Sequence, residues 1–79
     1  MITPRKHLDL DASLLRVASV VLRETQKRGI IEIERLRLIV AKRTGPDGEL
    51  SFFPALGFLF LLGKLDYHLK NDTLEYKAD

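Results

Sequence analysis

Between Phe52 and Leu62 eleven consecutive residues carry no charge, in a chain whose charged fraction is 30%. A surface helix needs one apolar stripe, whereas a segment apolar all round has to be covered on more than one side. At about 1.5 Å per residue the run reaches roughly half of a bilayer's ~30 Å hydrocarbon core, so lipid cannot be the cover. The cover is therefore protein, supplied either by the rest of this chain or by a second one.

Seventy-nine residues make one small domain. A domain of this size buries only about 60–65% of its unfolded-chain surface, so help from a partner is expected. The absence of Cys excludes a disulfide framework, a Cys-based metal site and a thiol nucleophile, in keeping with a reducing compartment. Arg5 and Lys6 are followed by Asp9, Asp11 and Arg16 rather than by an apolar stretch, so no signal peptide is expected and cytoplasm is the default location.

Local signals order the chain. Pro4 lacks an amide donor and biases Thr3 away from helix, so residues 1–10 read as an extended arm ahead of a single domain over 11–79. Asp11 suits the N-cap of a helix from Ala12 to about Arg28, with Leu14, Val17, Ala18, Val21, Leu22 and Thr25 inward and Gly29 as stop. Ile30 and Ile31 form a short extended link. A second helix, Ile33 to Arg43, has Ile33, Leu36, Ile39 and Val40 inward and no capping residue at its start, although Glu32 and Glu34 suit the positive end of its dipole. Thr44-Gly45-Pro46-Asp47-Gly48 ends it as a turn. Ser51 is the natural N-cap of helix three, Pro54 lies in the first turn, and Gly63 closes it. The period then changes from 3.6 to 2, with Leu65, Tyr67 and Leu69, then Leu74 and Tyr76, alternating with polar residues about a bend at Asn71-Asp72, which is a β-hairpin. Three helices followed by a hairpin predict an α+β winged helix-turn-helix, with the hairpin as wing and helix three where a recognition helix would lie.

Helix three is a poor reader of DNA. Base edges and phosphates demand Arg, Lys, Asn or Gln, and its only basic neighbour, Lys64, follows the cap. One stripe (Leu56, Leu59, Phe60) suffices for an internal core, which leaves Phe58, Leu61 and part of Phe52 directed elsewhere. Gly57 removes bulk in mid-helix at about 1 kcal/mol relative to Ala, consistent with close approach of another backbone. Phe52, Phe53, Phe58 and Leu61 are accordingly candidate partner-binding residues. The alternative is that the arm folds back on this face through Ile2, Leu8 and Leu10.

Charge points only weakly to a polyanion. Residues 1–48 hold ten Lys/Arg against six Asp/Glu and residues 49–79 hold three against five, for a net of +2. Arg35, Arg37, Lys42 and Arg43 are the candidates for nucleic-acid contact. With two histidines and no phosphate loop or nucleophile motif, no enzyme, cofactor or metal site is expected, and Asp66 with His68 reads as an exposed strand face.

The opening Ile2-Thr3-Pro4-Arg5-Lys6-His7-Leu8, the Pro54-Ala55-Leu56-Gly57-Phe58-Leu59-Phe60-Leu61-Leu62-Gly63-Lys64-Leu65 stretch and the wing with Tyr67-His68 together resemble the small middle components of bacterial ABC three-component systems. The resemblance implies a non-enzymatic subunit that links an SMC-like or Rad50-like ABC ATPase to an effector protein, in defence against phage or plasmids, with Lamassu a related type. Ile2, Pro4, Arg5, Lys6 and His7 match the family's opening and join the candidate partner-binding residues. Two other readings stay open: a winged-helix DNA-binding regulator, and a kite-like homodimeric condensin accessory.

Overall fold

The computed structural model describes residues 4–78, and the side chains of residues 12–78. Its elements are α1 (Pro4–Arg28), β1 (Ile30–Glu32), α2 (Ile33–Leu50), α3 (Phe52–Leu61), β2 (Leu65–His68) and β3 (Thr73–Tyr76). The three strands form one antiparallel sheet in the order β1-β3-β2, so the short link between the first two helices pairs with the far strand of the hairpin. The architecture is α+β and winged-helix-like, as expected.

The helix boundaries differ from expectation in three places. Residues 4–10, expected to be extended, are helical: α1 begins at Pro4, so the proline sits at a helix start, where a missing amide removes no intrahelical bond. Asp11 therefore lies within the helix rather than at its N-cap. Ile2 and Thr3 lie outside the described residues. The second helix does not end at Arg43 but breaks and restarts. Gly45 takes φ 78° and ψ −167°, a conformation that side-chain-bearing residues rarely adopt, and Pro46 opens a further helical segment up to Leu50. The start of α2 is uncapped by any side chain, and the Ile33 amide donates instead to the Asp72 carbonyl at 3.1 Å. Ser51 occupies the N-cap position of α3 without capping it. Its hydroxyl meets that of Ser13 at 3.0 Å and so ties the start of α3 to α1.

Helix three ends as expected. The Gly63 amide donates to the Phe60 carbonyl and the Lys64 amide to the Leu59 carbonyl, both at 3.0 Å, and Gly63 takes φ 72°, which together make a Schellman motif. The chain thereby turns directly into β2. Leu69, expected on the strand, falls in the turn and is exposed.

Val17, Ala18 and Val21 of α1, Leu36 and Val40 of α2, Phe52, Ala55, Leu56 and Leu59 of α3, and Ile31, Leu65 and Leu74 of the sheet form one buried cluster. Thr25 is buried among them with its hydroxyl donating to the Val21 and Leu22 carbonyls at 2.9 and 3.0 Å. Glu24 is also buried. Its two carboxylate oxygens lie 3.2 Å from Arg28 Nε and from Arg43 Nη2, which pins α1 to α2. A buried carboxylate is tolerated only when paired in this way.

Candidate functional site

The stripe of α3 that faces the core is Phe52, Ala55, Leu56 and Leu59, the i, i+3, i+4, i+7 set. Phe52 is thus fully buried, contrary to its expected place at a partner interface, and Phe60, expected inward, is 38% exposed. A second stripe, Phe53, Gly57, Phe60 and Leu61 at i, i+4, i+7 and i+8, faces solvent, with Phe53 62% and Leu61 88% exposed. Phe53 is held in place from beneath, because its ring meets the buried Phe52 ring edge-on at a centroid distance of 5.1 Å and an interplanar angle of 72°.

Gly57 lies between these side chains. It has no positive φ, and a Cβ added there would meet nothing within 4 Å. Neither backbone conformation nor packing inside the described domain therefore asks for glycine at this position. The result is a shallow dent in an apolar surface, flanked by Phe53 and by Phe60 and Leu61. Exposed patches of large apolar side chains on a small domain mark interaction surfaces.

Phe58 lies elsewhere. It is half-buried against the core and lines a groove between α1 and α3 with Leu15, Leu22 and Leu62. Of the arm candidates, Ile2 lies outside the described residues. Pro4, Arg5, Lys6 and His7 belong to the first turns of α1, and their side chains also lie outside the described residues.

The four basic candidates divide into two pairs. Arg37 is held by Glu34 at 2.9 Å and by Glu49 at 3.0 Å. The hydrogen bond that Arg37 donates to Glu34 and the Glu34 charge, with Glu49 adding to them, raise the guanidinium above its ordinary value. Arg43 is engaged by Glu24. Arg35 and Lys42 are exposed and make no ion pair among the described residues.

On the outer face of the wing the pairing register adds Glu75 to Asp66 and His68. The ligand atoms of the three lie within 4.8 Å of one another, and His68 Nε2 is 2.8 Å from Glu75 Oε1. These three could contact a cation, one ligand short of the four that a structural zinc takes. On the opposite face the Tyr67 hydroxyl donates to Asp72 Oδ1 at 2.7 Å. That hydrogen bond, then partial desolvation, then the Asp72 charge raise the Tyr67 phenol above its ordinary value. Among the described residues no helix is long and apolar enough to cross a membrane.

No curated protein and no solved structure matches the chain. One family model does match, over residues 29–77, from the end of α1 through β1, α2, α3 and the whole wing. The matched span takes in the stretch from Pro54 to Leu65 and Tyr67-His68, but not the opening residues Ile2 to Leu8. It contains the outer stripe of α3 and its dent at Gly57, and on this match, which covers more than half of its length, the chain belongs to the family described as ABC-three component (ABC-3C) system Middle Component 8.

Proposed function

We propose that the chain is a non-enzymatic adaptor that docks the outer face of α3 onto another subunit of its three-component system. In that role it links an SMC-like or Rad50-like ABC ATPase to an effector, in a Lamassu-related defence against phage or plasmids and in the cytoplasm. The observation that carries this reading is the Phe53–Gly57–Phe60–Leu61 stripe. Three large apolar side chains are exposed around a glycine that nothing in the described domain requires. A mid-helix glycine costs about 1 kcal/mol relative to alanine, and close approach of a partner backbone would offset that cost. Buried aromatic anchors in a small apolar centre are what dominate protein interfaces energetically. A middle component has partner components by its nature, which supplies the context for such a surface.

The test is co-purification of the tagged chain from cells carrying its native neighbouring genes, with wild type compared with Leu61→Asp and Phe53→Asp. Both positions are exposed, so both variants keep the core, whereas Phe58→Asp would place a carboxylate against it. Recovery of an ABC ATPase or effector subunit with the wild type, and its loss with both variants, is the expected result. Assembly at wild-type levels by both variants would defeat the proposal.

A further inference from the structure

A second surface lies on α2, on a face separate from the outer stripe of α3. Arg35, Leu38, Ile39 and Lys42 follow the i, i+3, i+4, i+7 spacing and so share one side of the helix, and with Arg28 at the end of α1 they line one groove. Leu38 is 62% exposed in the middle of this face, and Ile39 is half-buried beside it. Among the described residues Arg35 and Lys42 have no ion-pair partner and Arg28 pairs only through its Nε, toward Glu24. The basic stretch ends at the sheet, where Glu32 lines the adjoining pocket with Arg28 and Arg35.

We infer that this face of α2 binds an acidic amphipathic helix of a protein partner, with carboxylates about two turns apart pairing with Arg35 and Lys42 and an apolar residue between them covering Leu38. The spacing follows from the geometry, since two turns of helix separate the cations by about 10 Å and a facing helix repeats at the same pitch. Charge complementarity selects an acidic occupant. The exposed Leu38 selects a peptide over a nucleic acid, because a phosphate backbone would neutralise the cations but leave the leucine without an apolar partner. The other basic side chains of α2 do not compete, because Glu34, Glu49 and Glu24 hold Arg37 and Arg43.

The experiment uses the full chain and three probes followed by fluorescence anisotropy. The first is a labelled helical peptide with glutamates two turns apart and leucine between them, the second is the same peptide with serine in place of leucine, and the third is a labelled DNA duplex. The leucine peptide is expected to bind saturably, and the serine peptide several-fold more weakly. The double variant Arg35→Glu/Lys42→Glu is expected to lose at least about tenfold in affinity, since like charges then face each other. Lys70→Glu, an exposed turn residue, changes charge without touching the groove and is expected to bind as wild type. The three substituted positions are exposed, and far-UV circular dichroism checks that the fold is kept. Duplex DNA binding more tightly than the peptide through Arg35 and Lys42 would overturn the inference in favour of phosphate recognition. Equal binding of the leucine and serine peptides, or binding of neither, would also overturn it.

Discussion

Replacing Gly57 with alanine sets stability and assembly against each other. Position 57 lies inside the ten-residue helix α3, without the positive φ that would penalise a side chain, and a Cβ there touches nothing within 4 Å. The methyl group therefore brings no clash, while it removes backbone freedom from the unfolded chain. The expected gain is about 0.5–1 kcal/mol for the isolated protein. In a domain of this size 1 kcal/mol corresponds to about 4–8 °C in Tm. Thermal and urea unfolding by circular dichroism measure it, and the urea slope should not change because the surface exposed on unfolding is nearly the same. In the assembled complex the same methyl group should intrude on a closely packed contact, and overpacking of that kind costs about 1–3 kcal/mol. The variant is thus expected to be more stable alone and weaker in complex formation. A variant less stable than wild type would refute the reading that nothing inside the domain needs this glycine. A more stable variant that assembles as well as wild type would refute the reading of the dent as a point of close approach.

Glu24→Ala should cost about 1–3 kcal/mol of unfolding free energy, because the charge-assisted hydrogen bond from Arg28 within α1 and the ion pair with Arg43 that joins α1 to α2 are both lost. Arg37→Ala, which removes only surface pairs, should cost clearly less than Glu24→Ala, and chemical denaturation of the two variants checks the order. Tyr67, titrated by phenolate absorbance in a Tyr76→Phe background, should ionise above its ordinary value of 10.0 and fall back toward it in Asp72→Asn. Since folding raises this group, its contribution to the wing is complete below about pH 10 and is lost as pH climbs through the raised value. The isolated chain should self-associate at high concentration through the outer stripe of α3, and sedimentation should show Leu61→Asp as the more monomeric species.

Features that act locally were legible in the sequence. Gly29 and Gly63 stop helices in the structure as their positions predict, and the change of period after Gly63 locates the hairpin. Helix three shows where such reasoning stops. A segment apolar on every side has no polar face to set its phase, so periodicity could not decide between Phe52 and Phe60 as the inward ring. The structure buries Phe52, whose stripe meets Val17 and Val21 of α1 in one cluster. Pro4 is compatible both with an arm and with the first turn of a helix, and the sequence pattern alone does not separate the two. The Gly45 break was visible, but the restart at Pro46 was not, because Gly-Pro signals the interruption of a helix and is equally compatible with a loop or a new helical turn beyond it. Glu24 extends the inward stripe of α1 three residues past Val21, and its burial rests on Arg43, a partner from another helix. Glu75 joins Asp66 and His68 only through the strand register, which is a tertiary fact.

The most direct measurement of the adaptor account is site-specific photo-crosslinking in cells carrying the native neighbouring genes. A photoreactive amino acid replaces Leu61 on the outer stripe of α3, or Lys70 in the exposed wing turn as the comparison. Mass spectrometry then identifies what is attached. Position 61 is expected to crosslink to an ABC ATPase or effector subunit, and position 70 to do so far less. No subunit attached at position 61, with crosslinks arising from the wing turn instead, would contradict it.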